Sequence, residues 1–382
     1  MAKESTHRPA PELGNIYPET DMKATPALHS IIAAEIEKSG PMPFSRFMQM
    51  ALYHPRAGYY SSRTQKTGKQ GDFITSVSVG SCLGSILARR LHSYWTESES
   101  PDEFHIIEPG AHDGTLAGDI LDEIARFSPE FYQTVHYHLI ETSEVLGKRH
   151  SERLSVAHQE KFTSHSSISV IHSPYGAVIS NELIDAFPVE LIKFHNDHWN
   201  RQMVCMDADD RFCFSDTEID SPEIEKFFAS LGNGYPDGYT TEYNTGMDDY
   251  VRSAAGAISS GLFITIDYGH NQQDYYHPDR LTGTLQTYHS HQKAENPLHL
   301  PGEIDITAHV DFTRLQETAE NVGFHSPWFG TQASYLTEHA RSWLLEMESH
   351  PQKTDVEMIR QFQTLTHPSM LGTRFSVLEM RK

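Results

Sequence analysis

The pattern of apolar and polar positions predicts a helical beginning to this chain. Apolar residues recur at helical spacing between residues 26 and 52, with a break at Gly40-Pro41, and again between residues 80 and 95. Residues 1–26 are rich in Pro, Glu and Thr and lack this period, so we expect a flexible lead there. Residues 53–78 are expected to form loops.

From residue 104 onward, short apolar runs alternate with helical stretches. The predicted strands are 104–108, 135–141, 167–171, 175–180, 261–267 and 374–380. The predicted helices between them are 115–126 and a second one ending at residue 154. This alternation predicts an α/β fold on a mostly parallel sheet.

The pattern changes between residues 188 and 247. Three short runs at 189–194, 199–206 and 211–214 are separated by polar turns, which predicts antiparallel strands inserted beside the sheet. We therefore divide the chain into five segments. They are a lead (1–26), a helical extension with a cofactor-proximal loop (27–100), a first part of the core (101–187), an inserted substrate or lid subdomain (188–247) and a second part of the core (248–382).

The charge of the chain narrows the kinds of partner it can have. Its 52 acidic and 30 basic residues give a formal net charge of -22. An acidic surface repels phosphate backbones and anionic lipids, so we expect neither nucleic-acid binding nor membrane insertion. The polar N-terminus has no apolar core of a signal peptide, and no apolar run is long enough to cross a membrane. These features favour a cytoplasmic protein of unknown oligomeric state.

The cysteines and histidines give no sign of a metal site. Cys82, Cys205 and Cys213 form no Cys-x-x-Cys pair, so we expect reduced, partly buried thiols. The 24 histidines are scattered and lack the His-x-x-x-His helical spacing, so we interpret most of them as surface and loop residues.

Residues 104–116 combine a buried strand ending at Glu108, a glycine turn and the start of a helix. This arrangement is typical of a site for a nucleoside-bearing cofactor, because glycine lets the backbone approach the ligand. Gly110 and Gly114 are spaced Gly-x-x-x-Gly, which disfavours a nicotinamide dehydrogenase with its Gly-x-Gly-x-x-Gly turn. No phosphate-binding Gly-Lys-Ser/Thr follows, which disfavours a nucleoside triphosphate.

Three acids stand at the ends of predicted strands, where open α/β sheets bind ligands. They are Glu108, Glu141 and Asp267. Glu141 closes the second strand, the position of a ribose-binding acid in such folds. Glu182 and Glu190 together suit a guanidinium, but two unrelated surface acids are the safer interpretation of that spacing. Asn181-Glu182 is a better candidate for a functional site than the pair of Glu182 and Glu190.

Two further segments carry polar residues near a predicted ligand edge. Asp72, Thr75 and Ser76 precede a helix, and Ser76 or Ser78 is a candidate N-cap for it. Residues 179–188 follow the fourth strand, where methyl-transfer folds place groups near the acceptor. They lack the Asn/Asp-Pro-Pro-Tyr/Phe motif of some amino-methylating enzymes.

Several motifs in this order resemble one family at once. They lie at 43–60, 71–76, 108–114, 138–143, 181–188, 267–269, 283–285 and 301–312. The chain resembles the MidA-like family of class I S-adenosylmethionine-dependent methyltransferases. That family includes a mitochondrial complex I assembly factor that methylates a protein arginine.

The resemblance implies a Rossmann-like fold with a mostly parallel seven-stranded sheet and S-adenosyl-L-methionine as cofactor. It implies methylation of a protein side-chain nitrogen, with arginine as the acceptor. The implied cofactor-binding residues are Gly71, Asp72, Thr75, Ser76, Glu108, Gly110, His112, Gly114, Glu141, Thr142 and Asn181. The implied catalytic residues are Asn181, Glu182 and Asp185, facing the acceptor, and no metal is implied.

His112 is the main departure from the family turn, which runs Glu-x-Gly-x-Gly-x-Gly. Its side chain, in place of the middle glycine, either crowds the methionine part of the cofactor or hydrogen-bonds to it. An alternative function follows from this departure: an assembly or binding factor that keeps the fold with weak or no turnover.

Overall fold

The computed structural model describes residues 27–61, 75–289, 292–293, 296–349 and 355–382. The helices are α1 (Leu28–Ser39), α2 (Phe44–Tyr53), α3 (Cys82–Glu97), α4 (Thr115–Phe127), α5 (Pro129–Thr134), α6 (Glu144–His158), α7 (Pro222–Leu231), α8 (Met247–Ala257), α9 (Gln272–Tyr275), α10 (Phe312–Asn321), α11 (Gln332–His339), α12 (Arg341–Ser349) and α13 (Asp355–Thr366). The strands are β1 (Met42–Pro43), β2 (Phe104–Pro109), β3 (Val135–Ile140), β4 (Phe162–His165), β5 (Ser173–Asn181), β6 (Val189–His195), β7 (His198–Met206), β8 (Phe212–Glu218), β9 (Thr240–Asn244), β10 (Ile258–His270), β11 (Gln286–His289), β12 (Gln292–Lys293), β13 (Asp305–Thr307), β14 (Val310–Asp311), β15 (His325–Thr331) and β16 (Phe375–Arg381).

The main sheet has the strand order β15-β16-β10-β5-β2-β3-β4, with β14 paired to the end of β10. Strands β4, β3, β2, β5 and β10 are parallel, while β16 runs antiparallel to both β10 and β15. This confirms the predicted α/β architecture on a mostly parallel sheet. Within the described residues the sheet has one strand more than the seven expected, because Gly269 and His270 pair with Val310 and Asp311.

Helices cover both faces of this sheet. One apolar cluster joins α3, α4 and α11 to one face, and a second joins α8 and α10 to the other. In α4, the buried positions Leu116, Ile120 and Ile124 follow helical spacing, so one side of this helix is committed to the core. The strands are therefore fixed from both sides, and the loops at their carboxyl ends have a rigid base.

The strand predicted at 167–171 is wrong. Residues Ile168–Val170 form a single turn of 3-10 helix, in which the Ser167 hydroxyl accepts a hydrogen bond from the Ser169 amide at 3.2 Å. Val170 is 63% exposed. Serine side chains that bond to nearby backbone compete with sheet pairing, which explains the turn. The sheet instead gains β4, which the sequence pattern did not indicate.

A second sheet, of order β1-β7-β6-β9 with β8 on β7, contains the three antiparallel strands predicted between residues 188 and 247. The same region also holds α7 and β9. Its apolar face packs on α1 and α2, so the N-terminal helices and the inserted strands share one core. Within the described residues, no helix is both long and apolar enough to cross a membrane.

Candidate functional site

The turn after β2 is shaped by three residues in the left-handed region of backbone conformation. Gly110 and Gly114 have φ values of +72° and +81°, and His112 has φ +50°. A Cβ atom on Gly110 would lie 2.8 Å from Cδ1 of Leu183, so this turn lies directly against the segment after β5. The positive φ of His112 is the kind of backbone conformation that favours glycine, the residue that the family turn has at this point. Glycine adopts positive φ without the steric cost of a side chain.

Glu141 follows β3 and holds the glycine turn. Its Oε2 accepts a hydrogen bond from the His112 amide at 3.2 Å, and its Oε1 accepts one from the Ser143 amide at 2.8 Å. Burial raises the pKa of this carboxyl, while the two amides oppose the rise. Thr142, which lies between Glu141 and Ser143 in the chain, is exposed. The ends of β2 and β3 are thereby tied together at the same edge of the sheet.

His112 itself combines a fixed backbone with an unsatisfied side chain. Its carbonyl lies 2.9 Å from Nε2 of His150, whose Nδ1 lies 2.8 Å from the Ser164 hydroxyl. Its Nδ1 is 3.6 Å from a carboxylate oxygen of Asp113. Its Nε2 is buried and has no hydrogen-bond partner among the described residues, and the same holds for Oδ1 of Asn181. Buried polar atoms normally have partners, so these two atoms mark a place for a polar ligand.

Glu108 lies deeper than the sequence suggested. It is 5% exposed, and its Oε2 accepts a hydrogen bond from the Tyr137 hydroxyl at 2.6 Å. Burial raises its pKa to about 8, against the lowering effect of that hydrogen bond. One of its two oxygens is thus already engaged within the protein.

The segment after β5 makes a strained turn that Asp267 stabilises. Glu182 has φ +51°, which is uncommon for a residue with a side chain. Oδ2 of Asp267 accepts the amides of Leu183, Ile184 and Asp185 at 3.2, 2.8 and 3.3 Å. These contacts hold the strained residue in place, as found at functional sites. Asp267, which we expected at a ligand edge, therefore fixes the turn that presents Glu182.

Ser76 links the N-terminal region to this turn. Its amide donates to Oε1 of Glu182 at 3.0 Å, and Asn181 Nδ2 donates to the same oxygen at 3.0 Å. The Ser76 hydroxyl donates to Gln332 at 2.8 Å. The candidate N-cap role of Ser76 or Ser78 is wrong, because α3 begins only at Cys82 and the residue before it, Ser81, makes no side-chain cap.

Thr75 lies beside Ser76, and its hydroxyl accepts the Ser78 amide at 3.1 Å. Gly71 and Asp72, the other two predicted residues of this segment, lie outside the described residues.

Glu182, which is half-buried, and Asp185, which is buried, belong to one group of acids. Burial raises the pKa of Glu182 to about 7. Burial also raises the pKa of Asp185 well above its usual value, and the neighbouring charges of Asp267, Glu182 and Asp305 add to this rise. Like charges in one low-dielectric region disfavour simultaneous ionisation. The structure therefore brings the predicted residues Asn181, Glu182 and Asp185 together in one acidic region.

Sequence reasoning missed three residues beside this group. The Tyr53 hydroxyl donates to the Ala186 carbonyl at 2.8 Å, and the Tyr60 hydroxyl donates to Oδ1 of Asp305 at 2.9 Å. Both tyrosines belong to the motif at 43–60 and Asp305 to the motif at 301–312. The motifs were a signal for them, but only the packing brings residues so distant in sequence together.

Glu190 does not form a pair with Glu182. Arg201 bonds to both oxygens of Glu190, at 2.8 and 3.0 Å, and Ser45 also donates to it. Glu190 is 2% exposed, so it is a buried acid and not the surface acid of our alternative interpretation. Its charge is already offset by an arginine of the protein.

Comparison with known proteins assigns the chemistry. Residues 86–330 match a family described as S-adenosyl-L-methionine-dependent methyltransferases. The chain belongs to this family. The match confirms the resemblance seen in the sequence motifs and identifies the chain as an S-adenosyl-L-methionine-dependent methyltransferase.

Relatives and solved structures agree with this assignment. The chain is 27% identical to "Protein arginine methyltransferase NDUFAF7 homolog, mitochondrial" of Drosophila melanogaster, covering 98% of the chain and 90% of the relative. It is 24% identical to "Protein arginine methyltransferase NDUFAF7, mitochondrial" of Homo sapiens, covering 92% of the chain and 82% of the relative. A protein from Burkholderia thailandensis, crystallised with S-adenosyl-homocysteine, superposes with a TM-score of 0.83 at 27% identity, covering 93% and 92%.

The site residues fit this cofactor. Gly110 lets the turn after β2 lie directly against Leu183, so this turn and the end of β5 meet. The His112 and Asn181 atoms that lack partners among the described residues lie on these two segments. The relatives are mitochondrial by name, so the expected cytoplasmic location finds no support in them. Among the residues that the structure describes, no group of three or more His, Cys, Asp or Glu side chains is arranged to hold a metal ion.

Proposed function

We propose that this methyltransferase transfers a methyl group to the guanidinium nitrogen of an arginine in a protein. The observation that carries the proposal is the acidic group formed by the half-buried Glu182 and the buried Asp185 and Asp267. Within the described part of the chain, none of these three carboxyls is hydrogen-bonded or ion-paired to an arginine or lysine side chain. Buried carboxylates are costly unless a cation accompanies them, and a substrate guanidinium supplies that cation.

The names of the relatives support arginine as the acceptor. The Drosophila melanogaster and Homo sapiens proteins are both called protein arginine methyltransferases. A planar guanidinium with several donors matches carboxylate geometry better than an ammonium does. Glu190, already bonded to Arg201, shows this pairing within the same chain.

Each group in the site has a proposed role. S-adenosyl-L-methionine supplies an activated methyl group on a positively charged sulfur. We assign its binding to Gly110, His112 and Gly114 on the first turn, with Glu141 holding the ribose. Glu108, Thr142, Thr75, Ser76, Gly71 and Asp72 are proposed as further cofactor-proximal residues.

Asn181, Glu182 and Asp185 are proposed to act on the acceptor. Methyl transfer rests mainly on holding donor and acceptor in line. The attacking nitrogen must also lose a proton. Glu182 suits that task, because a pKa of about 7 leaves a large fraction ionised at neutral pH and still lets the carboxyl take up a proton.

The second sheet is proposed to form part of the surface that receives the substrate protein. Residues 188–247 begin directly after the strained turn that carries Glu182, and Ala308 donates from the other side to the Asp185 carbonyl at 2.9 Å. The inserted strands and the segment around Ala308 therefore flank Glu182 and Asp185. We keep 188–247 as a subdomain of the proposed domain organisation, beside a core formed by 101–187 and 248–382.

A labelling experiment tests the acceptor. The purified chain is incubated with methyl-labelled S-adenosyl-L-methionine and lysate from a strain lacking the protein, and labelled proteins are hydrolysed to amino acids. We expect the label in methylarginine. Glu182→Gln should reduce the labelling at least 100-fold, as expected for loss of a general base. Glu130→Gln, an exposed acid on α5 outside the proposed substrate surface, is the matched control and should label normally.

Two results would count against the proposal. Label in methyllysine alone would overturn arginine as the acceptor. Labelling of no protein, in a preparation that calorimetry shows to bind S-adenosyl-L-methionine, would favour the alternative of an assembly factor that binds cofactor without turnover.

A further inference from the structure

The hairpin formed by β7 and β8 brings two cysteines into direct contact. Cys205 and Cys213 are register partners across the antiparallel pair. Their sulfur atoms are 2.9 Å apart, and both residues are half-buried. Cys82, the third cysteine, is fully buried elsewhere in the core. The sequence predicted reduced, partly buried thiols, because no Cys-x-x-Cys motif marks a pair.

The pairing follows from the strand pattern and the turn. Val204 and Phe212 are buried in the core shared with α2, and Met206 and Phe214 pack against it, so Cys205 and Cys213 face the other side of the sheet. In the turn, Oδ1 of Asp207 accepts the amides of Asp209 and Arg211 at 2.8 and 2.9 Å. A fixed turn and a buried face specify the register, so the two sulfurs meet by construction of the hairpin.

The chemistry of the pair differs from that of a catalytic cysteine. Hydrogen bonding with Cys205 raises the pKa of Cys213 to about 11, and burial and the charge of Asp207 add to the rise. Catalytic thiols instead have lowered pKa values. Two thiols held side by side with partial exposure are suited to oxidation to a disulfide, which requires neighbouring cysteines with close Cα atoms, as in paired strands.

We propose that Cys205 and Cys213 form a redox-active dithiol, which glutathione disulfide and similar small disulfides convert to an intramolecular disulfide. One cysteine sulfur attacks the small disulfide, breaks its S–S bond and releases one small thiol. The second cysteine sulfur attacks the resulting mixed disulfide and releases the other. The two cysteines lose two electrons and two protons, and the small disulfide is reduced to two thiols that carry those protons.

Location on the surface favours reversible exchange. β8 is bonded only to β7 and forms an edge of the second sheet within the described residues, so small thiols can reach the pair from outside the core. Exposed disulfides are the ones that cellular thiols reduce again. Disulfides in reducing compartments are typically transient and redox-sensing in this way.

The test is a titration of the full-length protein in buffers of glutathione and glutathione disulfide. Samples are quenched with acid, denatured and labelled with a maleimide polymer that reports the number of free thiols. We expect the count to fall from three, the number of cysteines in the chain, to one in a single step, with the protein remaining monomeric in non-reducing gels. Peptide mapping of the oxidised protein should find Cys205 linked to Cys213, while Cys82 stays reduced.

Single variants supply the matched controls. In Cys205→Ser and in Cys213→Ser the remaining thiol has no partner, so each variant should accumulate a stable mixed disulfide with glutathione that the wild-type protein resolves. Thermal melting of both variants in reducing buffer checks that they fold. The proposal is overturned if the wild-type pair stays reduced in excess glutathione disulfide, or if oxidation links two chains instead. The wild-type mapping keeps the test valid even if a variant fails to fold.

Discussion

The backbone amide of His112 donates a hydrogen bond to Oε2 of Glu141 at 3.2 Å. The acid expected to bind the ribose of the cofactor therefore also holds the turn expected to lie along it. Any substitution at Glu141 should therefore weaken cofactor binding in two ways, because it removes a contact with the ligand and also releases the turn.

Glu141→Ala should weaken binding of S-adenosyl-L-methionine by about 100-fold, since a charged hydrogen-bond acceptor contributes about 1.5–3 kcal/mol. Glu141→Gln keeps one acceptor oxygen for the amides and should lose less. Calorimetric titration measures both, with Glu152→Gln on the exposed side of α6 as the control. Unchanged affinity in the alanine variant would remove Glu141 from the cofactor site.

Substitutions at His112 distinguish two effects of its side chain on the cofactor, hydrogen bonding and steric crowding. Nε2 is buried and has no partner in the part of the chain that the structure describes, so we expect the imidazole to hydrogen-bond to the cofactor. His112→Gly should then weaken binding about 5-fold, which corresponds to about 1 kcal/mol for one hydrogen bond. Stability should change by less than about 1 kcal/mol, because relief of the positive φ offsets the greater flexibility of the unfolded chain.

His112→Asn is the matched variant for that experiment. Asparagine tolerates positive φ and keeps a polar side chain, so it should bind the cofactor more tightly than the glycine variant. Tighter binding by His112→Gly than by the wild-type protein would show that the imidazole crowds the cofactor instead.

The raised pKa of Glu182 predicts opposite effects of pH on stability and activity. Its pKa rises from 4.5 to about 7 in the folded protein, so the folded state holds a proton that the unfolded state has released. Relative to Glu182→Gln, the wild-type protein should lose stability as pH rises from 4.5 to about 7. Urea unfolding at several pH values measures this difference.

Activity should follow the ionised form of the same group. If Glu182 accepts the proton of the acceptor nitrogen, kcat/KM of the wild-type protein should rise with pH up to about 7. The residual activity of Glu182→Gln should lack this rise. A rise of equal size in the variant would assign the titration to another group.

Asp267 should matter through the turn that it holds. Asp267→Ala removes the acceptor of four amides, three on Oδ2 and that of Tyr268 on Oδ1. We expect a loss of at least about 4 kcal/mol of unfolding free energy, since each unsatisfied buried donor costs about 1–3 kcal/mol. Asp267→Asn retains a carbonyl oxygen and should lose less. Urea denaturation compares the two, and equal losses would show that the amides do not depend on that oxygen.

Two glycines give a paired test of the fold around the site. Gly302 has φ +88°, and a Cβ atom there would lie 2.1 Å from the Ala57 carbonyl oxygen. Gly302→Ala should therefore destabilise the protein by about 2 kcal/mol or more. Gly256→Ala, on the exposed side of α8 with nothing within 4 Å, should stabilise it by up to about 1 kcal/mol. Thermal melting of both variants checks the contrast.

The periodicity of the chain was sufficient for the main elements. The strand at 104–108, the helix at 115–126 and the antiparallel runs after residue 188 were all predicted close to their observed bounds. Apolar spacing specifies such elements because each must bury one face. The short segment at 167–171 failed, because its serines bond locally and its apolar side chains are too few to decide between a strand and a turn.

The candidate site was likewise predicted only in part from the sequence. Residue type and order alone indicated the glycine turn, Glu141 and Asn181-Glu182, since those residues adjoin strands whose carboxyl ends meet at one edge. Three contacts could be seen only in the tertiary structure. They are the hydrogen bonds from the turn after β5 to Asp267, the hydrogen bonds from Arg201 to Glu190, and the contact between Cys205 and Cys213. Hydrogen-bond partners and strand register depend on which surfaces pack together, and local sequence carries no record of that choice.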